Sequence, residues 1–589
     1  MHLRLLTPLI LFLASWCFLP SVAHGIVRNP GVYTYLSLSD PDSLDPAWSY
    51  DSVSHLAIAS IYETLFEVDA DAPGGVKALL AAKIPTRENQ LISPDGKTYT
   101  IPIRPGVRFH DGTALTAEDA RYSILRFMLQ DRDAGPSSLL LEPLLGRLST
   151  RDEKGAIVSG VWEEANKSVS VESGALVLRL PRPYAPLLSI LSSWAPVVSR
   201  DWARRNGDWD GTEAAWARYN NPQKQSSPFF ERANGSAPFK LARWDRKTKE
   251  LLLARHEEYW RKPARLSKVV IRAIKEFSTR RLMLMAGDAD NIAADRPALS
   301  QLQDAPGLRV VDGLSALERK PMLFFGFSLN PSANRYIGSG RLDGDGVPPD
   351  FFADKNLRRA FAHAIDYEGY IKDVFRGQGR RAGGCVPPGL DGHDPAAAGH
   401  ASDLSRAGEF FRKAHGGRVW EKGFRLTLSY SAANSSDQTL AQMIKRRVES
   451  LNPRFRIDLM GLDWPAFLDA STAGKLPLYI MGWTADYPDA HNFAFPLLHS
   501  KGSYPVAQRW RHAEMDRLVE AALAETRPAP RRALYQRLQA LEIEELPHIV
   551  VLDKRVFRVQ RDWVRGWRHD PLLPDAPHGS RFYDLDKTE

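Results

Sequence analysis

The chain has 589 residues, of which 43% are hydrophobic and 25% are charged, a globular composition long enough for several domains. The net charge of +8 could attract nucleic acid, but lysine and arginine are dispersed among aspartate and glutamate. The nearest basic cluster, residues 445–447, lies on a predicted amphipathic helix and is interpreted as its solvated face. Because no readout motif accompanies the charge, nucleic-acid binding is excluded from the predicted functions.

The N-terminus predicts an export signal. Residues 1–4 carry positive charge, residues 5–19 are almost wholly apolar, and Ala23 ends a Ser-Val-Ala tripeptide typical of a signal-peptidase site. The apolar run is too short to span a bilayer comfortably, so we expect cleavage after Ala23 rather than a membrane anchor. Cys17 would leave with the signal, and Cys385 would then have no partner for an intramolecular disulfide.

The first predicted elements are a strand, a helix and an edge strand. Residues 31–38 alternate as a β-strand and run into a turn cluster that contains Asp40. Apolar residues at helical spacing follow over 53–66. A second strand is predicted over 98–104, and Pro102 indicates an edge position because proline cannot donate to a sheet ladder.

Three further patterns organise the rest of the chain. Thr116 and Asp119 predict a capping box at the start of a helix that runs to about Leu129. In the second half, a helix over 439–451 and one over 464–472 alternate with short β-rich runs. This βαβ rhythm predicts a parallel sheet with right-handed crossovers.

The buried strand predicted over 478–483 ends in a cluster of polar and aromatic side chains. In an open α/β sheet, ligands bind in the crevice outside the carboxyl ends of the strands. A lone carboxylate among aromatic rings suits a cation, above all an amino group, and Asp486 has these neighbours. The alternative is that Asp486 and Asp489 only cap a turn before the next helix. Local chemistry leaves both interpretations open.

A family resemblance begins in three stretches. These are Tyr-Glu-Thr-Leu at 62–65, Ser-Pro-Asp-Gly-Lys-Thr-Tyr-Thr at 93–100, and residues 104–119 around Phe-His-Asp-Gly. Together they resemble the signature of bacterial extracellular solute-binding proteins of family 5, the oligopeptide/dipeptide type that feeds ABC importers. The resemblance continues to the end of the chain, although residues 131–230 match poorly and 200–228 look like an insertion without an assigned place.

The resemblance implies an α/β fold of two lobes joined by a hinge. This is the class II periplasmic-binding-protein fold of the large peptide-binding type, with an extra subdomain in the first lobe. The implied division is a signal peptide at 1–23, first-lobe segments at 24–58, 186–320 and 547–589, the extra α/β subdomain at 59–185, and the second lobe at 321–546.

The resemblance also implies a ligand site between the lobes. In the family, the residue that matches Asp486 pairs with the α-amino group of a peptide, and the one that matches Trp483 lines the pocket wall. On the opposite lobe, Asp40 occupies a turn in which oligopeptide binders place an acidic ligand contact, and Ser137 falls in a second contact loop. The remaining candidate ligand residues are Tyr487, Ala433 and Asn434.

One departure from the family pattern concerns the ligand carboxylate. Short-peptide binders of the family carry an arginine in the turn before the helix over 439–451, and here residues 431–436 contain none. Either a different basic residue serves, or the ligand is longer, or its carboxyl end is not recognised. Strict dipeptide specificity is therefore not expected.

The predicted function is capture of peptides in the periplasm and their delivery to an inner-membrane ABC permease and its ATPase. We expect a monomer without cofactor, metal or catalysis. The first alternative is a non-peptide solute such as a metal chelate, heme, an opine or a sugar, because related receptors take these.

A secreted hydrolase is disfavoured, since the chain has no Gly-x-Ser-x-Gly or His-Glu-x-x-His motif. The spacing of His491, His499 and His512 fits no standard metal site, and His110 and Asp111 are interpreted as structural.

Overall fold

The computed structural model describes residues 27–69, 75–572 and 579–588. The predicted signal peptide lies outside the described residues. The strands are β1 Val32–Ser37, β2 Phe66–Val68, β3 Val76–Ala78, β4 Thr98–Pro102, β5 Val169–Glu172, β6 Ala175–Arg179, β7 Phe239–Asp245, β8 Glu250–Arg255, β9 Lys268–Ala273, β10 Asn291–Ile292, β11 Leu308–Leu314, β12 Glu318–Phe325, β13 Gly379–Arg381, β14 Phe424–Ser431, β15 Phe455–Leu462, β16 Leu478–Thr484, β17 His548–Val550, β18 Leu552–Lys554, β19 Val556–Arg561, β20 Val564–Arg565 and β21 Asp586–Lys587.

Helices of four to 18 residues separate many of these strands. They are α1 Ser52–Ile61, α2 Ala117–Gln130, α3 Ser138–Leu145, α4 Val161–Ser168, α5 Leu187–Leu191, α6 Arg200–Arg205, α7 Glu213–Trp216, α8 Phe277–Ala286, α9 Lys355–Ala364, α10 Tyr367–Asp373, α11 Leu404–Lys413, α12 Arg418–Lys422, α13 Ser435–Leu451, α14 Trp464–Thr472, α15 His491–Leu498, α16 Ser503–Gln508, α17 Ala513–Ala524 and α18 Pro528–Glu545. Within the described part of the chain, no helix is long and apolar enough to cross a membrane.

The first lobe is built on a seven-stranded sheet with the order β11-β19-β10-β1-β9-β8-β7. β1 lies near its middle and pairs in parallel with both β9 and β10. Tyr33 and Tyr35 point to one face and Leu36 to the other, and all three are buried because both faces of the sheet are covered. The strand predicted at 31–38 is therefore confirmed.

The second lobe is built on a five-stranded sheet with the order β15-β14-β16-β12-β17. β14 pairs in parallel with β15 and β16, as the βαβ rhythm predicts. β12 is antiparallel to both of its neighbours, so the parallel pairing that the rhythm predicts covers β14, β15 and β16, and the sheet as a whole is mixed. The reason is that β12 brings the chain into this lobe from the first lobe and the adjacent β17 leads it back.

The extra subdomain has a three-stranded sheet, β4-β6-β5, that packs on α2. Pro102 ends the edge strand β4, and Thr116 and Asp119 form the predicted capping box at the start of α2. Both predictions are confirmed. The helix predicted over 53–66 ends earlier, at Ile61, because Phe66 begins the short strand β2. The domain boundaries stay predictions.

The insertion at 200–228 covers α2. Trp209 stacks on Tyr122 with 5.4 Å between ring centroids, and the Tyr122 hydroxyl donates to the Trp209 carbonyl. Beside them, the buried Arg126 guanidinium donates two 2.7 Å hydrogen bonds to the Asp45 carboxylate and further bonds to Asp208. A charged triad thus joins the insertion, α2 and the loop after β1.

Glu63, from the Tyr-Glu-Thr-Leu stretch at 62–65, binds three side chains from distant parts of the chain. Its carboxylate accepts hydrogen bonds from the Tyr259 hydroxyl at 2.7 Å, the Trp260 indole at 3.0 Å and the Ser236 hydroxyl at 2.8 Å. Burial raises the pKa of Glu63 to about 7, although these donors oppose the shift. Glu63 therefore links the segment after α1 to the segments before β7 and after β8.

Candidate functional site

A cavity of about 600 Å³ lies between the two lobes. The first lobe and its subdomain contribute residues from 46–79, 192–196 and 237–261. The second lobe contributes Trp464 and residues 483–486, and the returning chain adds residues from 568–584. Ligand pockets in proteins typically measure about 300–1,000 Å³. The cavity is therefore large enough for a short peptide or a solute of similar size.

The carboxylate of Asp486 lies in the wall of this cavity. Its Oδ2 accepts hydrogen bonds from the Tyr50 hydroxyl at 3.0 Å and from the Asn492 amide at 3.2 Å. Among the described residues, none donates a hydrogen bond to Oδ1, and no arginine, lysine or histidine pairs with this carboxylate. Burial raises the pKa of Asp486 to about 6, while the two hydrogen bonds favour the ionised form. An acid with these surroundings can accept a cationic ligand.

Asn492 fixes the geometry of the strand end. Its Oδ1 accepts from the backbone N–H of Asp486 at 2.8 Å and from the Trp483 indole at 3.1 Å. Because Asn492 is buried in the first turn of α15, it orients two cavity residues at once. Apart from the closeness of Asn492 to Asp486 along the chain, nothing in the sequence indicates this bridging role.

An aromatic wall faces Asp486 from the first lobe. The Trp194 indole donates to the Asp486 carbonyl at 2.9 Å, and its ring lies 5.4 Å from Tyr50 and 4.8 Å from His55, centroid to centroid. Aromatic faces attract cations, so this wall complements a carboxylate in recognising an ammonium group. Sequence reasoning missed Tyr50, His55 and Trp194, and Trp194 comes from the stretch that matches the family poorly.

The family described as "Bacterial extracellular solute-binding proteins, family 5 Middle" matches residues 76–505, which is most of the chain. The chain belongs to this family. Family 5 proteins are the substrate-binding components of ABC transporters, and their relatives named below are chiefly peptide binders. The two-lobed architecture described above is the fold of this family.

Individual relatives of this family 5 protein differ in what they bind. It is 25% identical to the oligopeptide-binding protein OppA of Bacillus subtilis, over 86% of this chain and 85% of the relative. It is 24% identical to heme-binding protein A of Haemophilus influenzae, over 93% and 91%. The solved structure of DppA from Helicobacter pylori in complex with peptide STSA superposes with a TM-score of 0.72 at 21% identity, covering 95% of this chain and 98% of that one.

Of the ligand residues predicted for this family 5 protein, Asp486 and Trp483 line the cavity, whereas the first-lobe candidates do not. The Asp40 carboxylate accepts from the Trp244 indole at 3.1 Å and lies 3.6 Å from Arg246. Ser137 is buried, and its hydroxyl donates to the Phe127 carbonyl at 2.6 Å. A ligand role for Asp40 and Ser137 stays a prediction.

The other predicted residues also lie outside the cavity lining. Tyr487 is buried against the first-lobe core. Asn434 caps α13 by accepting from the backbone N–H groups of Ser436 and Asp437, and Ala433 is the exposed residue before it. Their ligand roles stay predictions as well.

The turn after Asp486 has a structural role of its own. The partly buried Asp489 accepts from the His491 backbone N–H, which fits the predicted turn, and it also forms a bidentate pair with Arg531 at 2.7 and 2.8 Å. The described residues contain no group of three or more histidine, cysteine or acidic side chains that could hold a metal ion.

Proposed function

We propose that this family 5 protein captures peptides with a free α-amino group between its lobes and delivers them to an ABC importer from the periplasm. The observation that carries this proposal is the Asp486 carboxylate, which lies in the interlobe cavity with one oxygen held by Tyr50 and Asn492. No cationic side chain in the described part of the chain pairs with it. We infer that Asp486 is the ammonium anchor and that Trp483 and Trp194 form the walls beside it.

The proposed hydrogen bond between Asp486 and the ammonium group contributes a measurable free energy of binding. A hydrogen bond to a charged group contributes about 1.5–3 kcal/mol, and it counts for more where a closing cleft excludes water. The same contact is independent of which side chains the peptide carries. A protein that anchors the amino end in this way can therefore accept many peptide sequences, with main-chain hydrogen bonds and roomy side-chain pockets completing the site.

The proposed cellular setting has separate support. The predicted export signal favours delivery across the inner membrane, and family membership supports a partnership with a permease and its ATPase. We further infer that the protein works as a monomer, without catalysis and without a cofactor.

The proposal is tested by comparing trialanine with N-acetyl-trialanine in calorimetric titrations of the purified protein. We expect the free-amine peptide to bind at least about tenfold more tightly, because acetylation removes the charge that pairs with Asp486. Native mass spectrometry of the protein from its source periplasm supplies the second readout. Equal affinities, or a co-purified heme, metal chelate or sugar, would replace the peptide proposal.

Binding is expected to weaken in acid. Burial raises the pKa of Asp486 to about 6, so at lower pH this carboxyl becomes neutral and loses its attraction for an ammonium group. The Kd for trialanine should be lowest near pH 7 and should rise up to about tenfold per pH unit below pH 6. It should begin to rise again near pH 8, because the α-amino group of the peptide, with a pKa of about 7.7–8.0, loses its proton there. Titrations between pH 4.5 and 8 measure this. A Kd that falls with acidification would contradict the anchor, and a variant with asparagine at 486 should lack the step.

A further inference from the structure

Three lysine or arginine side chains of the described residues line the cavity, and two of them already have carboxylate partners. Lys77 Nζ lies 2.6 Å from Asp69 Oδ1. Arg261 lies 3.5 Å from Glu67, and its guanidinium covers the Trp260 ring with 4.6 Å to the centroid. Each of these two cations already pairs with a carboxylate, so neither can bind a ligand anion without losing that ion pair.

Arg568 is the third cation. It lies on the returning chain between β20 and Leu572, and its side chain is exposed while it lines the cavity. Among the described residues, no carboxylate, carbonyl or aromatic ring contacts its guanidinium. The nearby Asp570 is buried, and its Oδ1 accepts from the backbone N–H of Leu572 at 2.8 Å. A guanidinium at this point can offer two parallel N–H groups to a carboxylate.

The backbone places the segment that follows Arg568 close to the proposed ammonium anchor. Ala485, next to Asp486, donates its N–H to the Leu317 carbonyl at 2.9 Å, and Leu317 donates its own N–H to the Pro571 carbonyl at 2.7 Å. Hydrogen-bonded neighbours of this kind lie about 4.8 Å apart, so the backbones at Ala485 and Pro571 are about 10 Å apart. The side chains of Asp486 and Arg568 both line the cavity beside these two segments.

We propose that Arg568 binds the α-carboxylate of a short peptide whose amino group is held by Asp486. This inference rests on the proposed function and adds the other end of the ligand. It also supplies a basic residue for the carboxylate, although residues 431–436 contain no arginine. Opposite charges in one cavity set the direction in which the peptide binds.

The test compares trialanine with trialanine amide in calorimetric titrations of the wild-type protein and of Arg568→Gln. In the wild type we expect the amide to bind about 10- to 100-fold more weakly than the acid. In Arg568→Gln the acid should weaken by the same factor while the amide changes little, so that the preference disappears. Arg568→Lys should keep part of the preference, because lysine retains the positive charge but lacks the two parallel N–H groups of the guanidinium.

Arg565→Gln is the matched control. Arg565 lies on the same segment, is exposed, and donates to backbone carbonyls of its own turn without lining the cavity. This variant should keep the wild-type preference for the acid. The inference is overturned if acid and amide bind the wild type equally, or if Arg568→Gln keeps the preference, while N-acetylation still weakens binding. Loss of the N-acetyl effect would instead overturn the proposed function itself.

Discussion

Asp486→Asn is expected to weaken the binding of free-amine peptides by about 10- to 100-fold, because it removes the charge from the ammonium contact and keeps the shape of the side chain. The asparagine carbonyl can still accept from Tyr50 and from Asn492, which hold Oδ2 in the native protein. Thermal unfolding in the absence of peptide should therefore change little. Calorimetric titration with trialanine and a thermal melt of the same sample measure the two effects.

Asp458→Asn is the control for this substitution. Asp458 lies on β15 of the same sheet, is half-exposed, pairs with Arg425 at 2.8 Å and does not line the cavity. Its replacement should leave the Kd within about twofold of wild type, since a surface ion pair contributes little. If Asp486→Asn bound trialanine with wild-type affinity, Asp486 would not be the ammonium anchor, although the protein would still be a peptide binder.

Arg126→Met is expected to lower the free energy of unfolding by about 3–5 kcal/mol, because it leaves two buried carboxylates without a cation. Arg126 is 3% exposed and bridges Asp45 and Asp208. Burial opposes the ionisation of Asp45, yet the Arg126 charge and hydrogen bonds hold the pKa of Asp45 below its ordinary value. Urea unfolding of the first lobe, followed by tryptophan fluorescence, measures the loss.

Arg179→Met provides the comparison on the surface. Arg179 and Glu172 pair at 2.6 Å on neighbouring strands of the subdomain, and both side chains are about half exposed. Solvent screens such a pair, so its loss should cost less than about 1 kcal/mol. A similarly small effect for Arg126→Met would show that the buried triad does not hold the insertion against α2.

The sequence predicts those parts of the fold that have local signals. The capping box of α2 is confirmed, and the helix predicted over 464–472 matches α14 residue for residue. The strand directions in the second lobe were predicted only in part. Periodicity identifies a strand but does not show whether that strand leads the chain into a lobe or out of it. In the second lobe β12 leads the chain in, β17 leads it out, and the two strands are adjacent.

In the candidate site, too, the sequence predicts only those residues that have a local signal. Asp486 and Trp483 follow directly from their place at the end of a β-rich run, and both line the cavity. Tyr50 and Trp194 are 436 and 292 residues away from Asp486 along the chain, and only the folded structure brings them to it. Arg568 carries no motif at all, so its position beside the cavity could not be read from the sequence.

The position of β19 has a consequence for how the chain folds as it is made. In the first-lobe sheet β11 pairs only with β19, which is built from residues 556–561. Until those residues are available, β11 has no neighbour in the sheet, and in the second lobe β12 lacks one of its two neighbours until residues 548–550 supply β17. Contacts between distant residues form slowly, because a long loop must close first. Both sheets are therefore completed only when the last tenth of the polypeptide is available.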